Sequence, residues 1–334
     1  MANNATHPSQ DLSDGPLVLK EGAVVKKSKA FALNKKPKKK VAKQSIHVGA
    51  LKSNSHSSVK NPNNASNIVV SAKMKPSFLA PGFLKNLTEE GKMMSLSRQL
   101  IYFTVVNGAF ERLTLNWLCN VATFEGSHEL LLIVSTSKSV CDSIHREYGQ
   151  KVHCMFANVA GYEEDLDWGE KKYIDFLLLR LQMMKALTES SVRFVLIETD
   201  STWFRDPIGL FLNATLIDDA DIVTSMKGVT HTGDYLAFSP MLVEPTKTSV
   251  VLFNEINKRL SDNTSSYDQD VLNELCSIQY HGVVCRNFEY AEIADGKWYY
   301  LKDEDKSLMQ PYIVNNNFYV GLKNKEARQK EQKL

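Results

Sequence analysis

The chain has 334 residues, of which 43% are hydrophobic and 9% aromatic, so it can form a folded core in one large domain or two small ones. Its formal net charge of +2 is unevenly distributed. Residues 1–60 contain twelve lysines against Asp11, Asp14 and Glu21, a local net of +9 that leaves −7 for the remaining residues. The sequence contains no run of apolar residues long enough for a transmembrane helix.

Residues 1–75 are predicted to be a disordered, Lys-rich tail, because they contain too few large apolar residues to offset the entropy of ordering. The densest cluster, residues 35–40, is either a nuclear-localisation or polyanion-binding patch or a solvated linker. No aromatic residues are interleaved there for base stacking, which argues against a nucleic-acid partner. The N-terminus also lacks the apolar core of a signal peptide, so a cytosolic or nuclear protein is one expectation.

Two features bear weakly on a secretory compartment. Cys276 and Cys285 are close enough to bridge a short loop under oxidising conditions, and the alternative is buried free thiols. Sequons for N-glycosylation also arise by chance. They occur at Asn4, Asn64, Asn86, Asn213 and Asn263.

Residues 76–330 are predicted to form one α/β domain. Strands are predicted at residues 99–108, 129–135, 152–156, 195–197, 221–226, 236–240 and 312–320. Helices are predicted at residues 110–123, 138–148, 170–189, 246–260 and 268–275. Alternating strands and helices predict a largely parallel sheet with right-handed crossovers.

An acidic pair follows the apolar run that ends at Ile197. Glu198 and Asp200 stand where a buried strand should end, before a turn at Asp206-Pro207. Ligands of open α/β sheets bind outside the carboxyl ends of the strands, and hard oxygen ligands suit Mg²⁺ or Mn²⁺. Alternate residues of a strand share a face, so the two acids could converge on one ion or nucleotide with Thr199 turned away. The alternative is a surface turn with two solvated acids.

Several segments in order carry a family resemblance. They are residues 105–107, 116–119, 169–173 with Arg180, 198–207, 267–270 and 315–321. Over about residues 99–330 the chain resembles the nucleotide-diphospho-sugar transferase domain of glycosyltransferase family 77. The resemblance implies a GT-A fold, with a Rossmann-like, mostly parallel mixed sheet flanked by helices. It also implies a metal-dependent, retaining sugar transfer from a nucleotide-sugar donor to a glycan or glycoprotein acceptor.

The resemblance further implies a Golgi or other secretory setting, usually reached through an N-terminal membrane anchor, for which this chain has no segment. Mn²⁺ or Mg²⁺ is the expected cofactor, with Asp200, Glu198 and Asn315 as the metal ligands. Two positions depart from the family pattern. Glu198 replaces the usual Asp, and Asn315 replaces a frequent His, which predicts weaker metal binding.

The other candidate residues have competing interpretations. Val106 and Asn107 are predicted to contact the nucleotide base, and plain turn chemistry is the alternative for Asn107. Arg180 lies on an otherwise apolar helix and is expected to bind phosphate or to pair with an acid such as Asp200. Asp268 and Gln269, with Asp200, are the predicted catalytic residues, and Asp268 is alternatively an N-cap.

Three functions remain open on the sequence. The first is a sugar transferase with a UDP- or GDP-activated donor. The second is a catalytically weak relative that binds nucleotide sugar or glycan. The third is a nuclear or nucleic-acid-associated protein that acts through its Lys-rich tail.

Overall fold

The structure is a computed structural model that describes residues 79–334 with four gaps. The gaps are residues 231–232, 263–265, 318–320 and 332–334. The predicted tail and its Lys-rich cluster therefore lie outside the described residues, as do the sequons at Asn4, Asn64 and Asn263.

The helices of the described part alternate with strands, as the sequence predicts. They are α1 (Phe83–Arg98), α2 (Glu111–Val121), α3 (Lys138–Tyr148), α4 (Lys171–Glu189), α5 (Ile208–Phe211), α6 (Ala214–Ile217), α7 (Lys247–Asp262), α8 (Asp268–Ser277), α9 (Asp303–Leu308) and α10 (Leu322–Glu331). Within the described ranges, none of these helices combines the length and the apolar character needed to cross a bilayer.

The strands form two sheets. They are β1 (Ile101–Val106), β2 (Leu131–Ser135), β3 (His153–Phe156), β4 (Phe194–Leu196), β5 (Thr202–Trp203), β6 (Ile222–Thr230), β7 (Gly233–Val243), β8 (Cys285–Phe288), β9 (Ile293–Ala294) and β10 (Ile313–Val314). The larger sheet has the order β3-β2-β1-β4-β7-β6-β8, and the smaller has the order β5-β10-β9.

The larger sheet is mixed. The first four strands in its order are parallel, β7 runs antiparallel to both neighbours, and β8 is parallel to β6. The predicted fold class, a mostly parallel mixed α/β sheet flanked by helices, is confirmed. The antiparallel β7 is the part that the strand–helix alternation alone does not predict.

Both faces of this sheet are covered, so its central strands are apolar throughout. All six residues of β1 are buried. Ile101, Phe103 and Val105 face a core layer built with α1, α4, α7 and α8. Tyr102 and Val106 face the opposite layer, which contains the apolar residues of α2 and α3. The alternation of side chains along the strand thus assigns each residue to one of two cores.

The predicted late strand at residues 312–320 is wrong in its length. Only Ile313 and Val314 pair, in the smaller sheet, and the chain then leaves the strand at Asn315. Residues 318–320 lie outside the described residues. The apolar, β-branched residues correctly predict a strand, but the strand that pairs in the small three-stranded sheet is short.

Two disulfides fasten helices to strands. Cys276–Cys285 joins α8 to β8, as one of the two sequence interpretations proposed. Cys141–Cys154 joins α3 to β3 and was not predicted, because its two cysteines meet only through the packing of that helix on that strand. Cys119 is free and exposed.

This pairing predicts the thiol count of the unfolded protein. Alkylation without reductant should label one cysteine, Cys119, and alkylation after reduction should label all five. Reduction should also lower the melting temperature, because each disulfide of this loop length stabilises by about 2–4 kcal/mol. The Cys119→Ser variant, which keeps both disulfides, should melt like the native protein. Five reactive thiols without reductant would contradict the assignment.

Candidate active site

The strand order changes direction between β1 and β4. From β1 the chain proceeds outward to β2 and β3 and then returns to place β4 on the other side of β1. Ligands of open α/β sheets bind outside the carboxyl ends of strands at such a switch point. A cavity of about 170 Å³ lies there. Its lining includes Thr104–Asn107, Phe110, Asp165, Leu166, Trp168, Tyr173, Phe176, Leu177, Arg180, Ile197–Asp200, Gly321, Leu322 and Lys325.

The acidic pair reaches this cavity from a turn rather than from the strand. β4 ends at Leu196, and the Ser201 amide donates to the Glu198 carbonyl at 3.2 Å. Glu198 and Asp200 both line the cavity. The Thr199 hydroxyl lies 3.1 Å from the Thr114 hydroxyl in the interior, so its side chain is turned away from the acids. Glu198 and Asp200 therefore line one cavity from a turn after β4, and their convergence on an ion or nucleotide stays a prediction.

Arg180 links two acids across the site. Its Nη1 donates to Glu198 Oε1 at 3.2 Å, and its Nη2 donates to Asp268 Oδ2 at 2.6 Å. The guanidinium carbon also lies 4.9 Å from the centroid of the Phe238 ring. The arginine is buried, so the two carboxylates provide the charge partners that an arginine on an apolar helix requires. Its acid partners are Glu198 and Asp268 rather than the Asp200 named from sequence.

Asp200 has a different cationic partner. The Lys325 ammonium, from α10, donates to Asp200 Oδ2. Gln329 of the same helix donates through Nε2 to the Asp200 carbonyl oxygen at 3.2 Å. Asp200 is buried, so its negative charge depends on Lys325 for compensation. The C-terminal helix is thus anchored to one of the two acids of the predicted metal-binding pair.

Burial and neighbouring charges shift the pKa values of the titratable groups at the site. Partial desolvation in the cavity raises the pKa of Glu198, whose side chain keeps 42% of its surface exposed, and the neighbouring Asp200 carboxylate raises it further, while Arg180 and Lys325 oppose the shift. Burial opposes the charge of Lys325, but the Asp200 and Glu198 carboxylates outweigh it and raise the pKa of the ammonium above its usual value. Burial, and then Asp268, raises the pKa of the Tyr173 phenol to about 12, so that phenol stays protonated.

The Glu198→Gln variant is expected to gain stability relative to the native protein as the pH rises. Folding raises the pKa of Glu198. The folded protein therefore retains the Glu198 proton over a pH range in which the unfolded chain has already released it. This stabilising contribution is complete below the ordinary glutamate value of 4.5 and is lost as the pH rises through the raised value. Gln does not titrate. The melting temperature of Glu198→Gln, relative to that of the native protein, should therefore increase between about pH 4 and about pH 7.5. A difference that does not vary with pH would contradict the shift.

Asn107 lines the cavity, and its side chain also makes hydrogen bonds in the turn after β1. Its Nδ2 donates to the Glu164 carbonyl at 2.8 Å, and its Oδ1 accepts from the Phe110 amide at 3.2 Å. Both amide groups are thus used to shape the turn after β1, as the turn interpretation predicts. Val106 also lines the cavity, but its side chain faces the core layer.

The predicted catalytic pair on α8 is not brought into the cavity. Neither Asp268 nor Gln269 lines it. Asp268 Oδ1 accepts from the Gln269 amide at 2.8 Å, and its Oδ2 is held by Arg180. Asp268 is therefore placed to hold Arg180 and to begin α8, and a direct contact with sugar is not supported by its position.

The third predicted metal ligand, Asn315, lies outside the cavity lining, and only its amide nitrogen has a hydrogen-bond partner among the described residues. Asn315 Nδ2 donates to the Ser239 carbonyl at 2.5 Å, and its Oδ1 is buried without a hydrogen-bond partner in the structure. The nearby Asn317 Oδ1 accepts from the Gly296 amide at 2.7 Å. Neither amide therefore joins the acids at the cavity.

The donor set as placed does not fit a divalent cation. An ion at the acidic pair needs carboxylate oxygens that other cations have not taken. Here Asp200 is paired with Lys325 and Glu198 with Arg180. Within the described ranges, no three His, Cys, Asp or Glu side chains are grouped to hold a metal ion. An ion on Asp200 would share that carboxylate with the lysine ammonium, which would repel it.

Sequence reasoning missed two residues of this site. Lys325 is not among the predicted site residues, although Lys325, Arg328 and Gln329 have the spacing of one helical face. Trp168 lines the cavity with 58% of its surface exposed, and its ring stacks on Tyr267 with centroids 4.9 Å apart. No periodic signal marks Trp168, because it lies in a loop before α4.

Comparison with protein families decides the identity of the domain. A family model described as nucleotide-diphospho-sugar transferase matches residues 126–329. The chain belongs to this family. The match spans the acidic pair, Arg180 and Lys325, so the nucleotide-diphospho-sugar transferase domain includes both halves of the cavity's charged lining.

Two solved structures are similar to this nucleotide-diphospho-sugar transferase chain. They are the apo form and a second structure of the glycosyltransferase GlyE from Streptococcus pneumoniae TIGR4, with TM-scores of 0.42 and 0.41 and identities of 12% and 13%. Each comparison covers 70% of this chain and 61% of the GlyE chain, so this chain spans less than two thirds of that protein. No curated protein matches the chain.

Proposed function

We propose that this protein transfers a sugar from a nucleoside-diphosphate donor to a glycan or glycoprotein acceptor, with retention of the anomeric configuration. The observation that carries the proposal is the pair of cations, Arg180 and Lys325, in a cavity at the carboxyl ends of β1 and β4. Positive charge fixed in advance at such a point stabilises a leaving diphosphate as its charge develops. Family membership supports the donor class.

The proposed reaction breaks the bond between the anomeric carbon and the diphosphate oxygen. The electron pair of that bond remains on the diphosphate. The acceptor hydroxyl oxygen forms the new bond to the anomeric carbon, and its proton passes to the released diphosphate. Glu198 keeps 42% of its side chain exposed, so it is the acid best placed to accept hydrogen bonds from donor hydroxyl groups.

Trp168 is the proposed platform for the acceptor sugar. Its exposed ring lines the cavity and is held parallel to Tyr267, with an interplanar angle of 2°. A fixed aromatic face of this kind offers apolar contact to the C–H face of a sugar at a low entropic cost. The sequence predicts a catalytic role for Asp268 and Gln269. In this proposal Asp268 instead positions Arg180.

The cofactor and the compartment are separate parts of the proposal. Mn²⁺ or Mg²⁺, with Asp200, Glu198 and Asn315 as ligands, stays a prediction from the resemblance. The proposed reaction does not include a metal ion. Assignment to glycosyltransferase family 77 likewise stays a prediction. The two disulfides support a setting in the Golgi lumen or elsewhere in the secretory pathway, because disulfides form and persist in oxidising compartments.

The test is turnover of the full chain with UDP-sugars and GDP-sugars, in the presence of glycan acceptors and with release of the nucleoside diphosphate as readout. We expect release with one nucleotide class and a product whose anomeric configuration, read by NMR, matches the donor. Binding of a nucleotide sugar without turnover would favour the catalytically weak relative. Failure to bind any of these donors would contradict the proposal.

A further inference from the structure

The inner face of α10 is polar and is fixed against the turn that carries Asp200. Arg328 is buried and donates through Nη1 to Asn316 Oδ1 at 2.9 Å. The same arginine donates to the Gly296 carbonyl. With Gln329 bound to the Asp200 carbonyl, these contacts hold the helix in one position along the turn. The position of Lys325 in the cavity is therefore set by the fold, since Arg328 and Gln329 anchor its helix about one turn further along.

Lys325 presents its ammonium to the cavity. Its side chain is only 19% exposed, and its ammonium lies 5.7 Å from the centroid of the Phe110 ring. The ammonium is paired with the Asp200 carboxylate, which compensates its charge. A desolvated ammonium near a cavity wall acts more strongly on an incoming anion than an exposed one does.

The local charge balance also bears on the metal. Three carboxylates, of Glu198, Asp200 and Asp268, surround two cations, Arg180 and Lys325. Each acid of the predicted metal-binding pair thus already has one cationic partner. A divalent ion brought to Asp200 would meet the repulsion of a buried ammonium that contacts the same carboxylate.

We propose that Lys325, with Arg180, supplies the positive charge that receives the donor diphosphate, in place of the divalent cation that the family resemblance implies. This inference rests on the proposed function. On donor binding, the Lys325 ammonium keeps its contact with the Asp200 carboxylate and donates a further hydrogen bond to a diphosphate oxygen. It then stabilises the electron pair that the leaving diphosphate retains, while Asp200 keeps the lysine at the cavity between turnovers.

The experiment measures binding of UDP and of GDP to the full chain by calorimetry, first in EDTA and then in Mn²⁺. The native protein should bind one of the two nucleotides in EDTA, with little change in Kd on addition of Mn²⁺. Lys325→Met should weaken binding in EDTA by about tenfold to a hundredfold, the usual effect of one charge-assisted hydrogen bond. Lys325→Arg should retain most of the affinity. The matched control is Lys323→Met on the exposed side of the same helix.

A second readout separates charge replacement from a structural role. If Lys325 stands in for a metal ion, Mn²⁺ should partly restore nucleotide binding to Lys325→Met, because that variant leaves Asp200 free to ligate. A lysine that only supports the fold would give no such rescue, and this result would overturn the inference. Circular dichroism and melting curves establish that each variant is folded.

The inference and the proposed function fail in different ways. Nucleotide binding by the native protein that disappears in EDTA, and that Lys325→Met leaves intact in Mn²⁺, would overturn the inference and keep the proposed function. No binding of UDP or GDP by the folded native protein in either condition would overturn the proposed function, and the inference with it.

Discussion

The Asp200→Asn variant is expected to lose sugar transfer by roughly a hundredfold or more while the chain remains folded. Asp200 is the counter-ion that holds the Lys325 ammonium at the cavity, and its backbone carbonyl anchors α10 through Gln329. Asparagine preserves the shape of the side chain and removes its charge. The cation then loses its fixed position, and stabilisation that depends on pre-set geometry is lost with it.

The measurement is kcat and KM for the nucleotide sugar that the native protein turns over, with circular dichroism to establish folding. Asp219→Asn is the matched control, because Asp219 pairs with Arg286 at the surface away from the cavity. Glu198→Gln should be affected less, since a glutamine oxygen can still accept from Arg180. Near-normal turnover in Asp200→Asn would show that this acid is not part of the site.

The Asp268→Ala variant is expected to lose about 3–5 kcal/mol of folding stability. The carboxylate and Arg180 are both buried, so the change leaves the arginine with Glu198 as its remaining carboxylate partner. For a domain of this size, such a loss corresponds to a fall in melting temperature of roughly 5–15 °C. A purely catalytic role for Asp268 would imply instead a loss of turnover with unchanged melting.

Thermal melting of the full chain distinguishes the two roles. The matched control is Asp270→Ala, which removes an exposed carboxylate from the same turn of α8. That variant should change the melting temperature by no more than a few degrees, because surface ion pairs and exposed contacts contribute about 0–1 kcal/mol. If Asp268→Ala and Asp270→Ala melt alike, the buried pair with Arg180 does not stabilise the fold.

The sequence predicted the strands and helices that have strong periodic patterns. The apolar runs of β1, β2 and β4 are buried on both faces, so composition alone identifies them. The direction of β7 was not predictable in this way, because an antiparallel strand has the same local composition as a parallel one. The placement of the acidic pair followed correctly from its position after a buried strand.

Side-chain partners were predicted less well than backbone elements. The family motif predicts Asn315 as a metal ligand, and local pattern does not predict that its amide nitrogen donates to the Ser239 carbonyl where the chain leaves β10. Asp268 was assigned to chemistry, although its partner Arg180 lies 88 residues away in sequence. Such contacts depend on how distant helices pack, which local pattern does not encode.

Lys325 was missed for a related reason. The helix that carries it has almost no apolar residues, so the hydrophobic pattern predicts a solvated tail. Its buried face is instead polar, because that face covers charged groups at the mouth of the cavity. A polar i, i+3, i+4 pattern of Lys, Arg and Gln close to a family motif is the sequence signal that would have indicated it.

Hydrogen exchange of the full chain with and without UDP or GDP tests the location of the donor site most directly. We expect one of the two nucleotides to slow amide exchange in three segments that share the cavity lining, residues 104–107, 197–200 and 321–325. Residues 285–288, in the edge strand β8, form no part of that lining and serve as the internal reference. Protection confined to other parts of the chain, under conditions where calorimetry shows binding, would contradict the location of the donor site in this cavity.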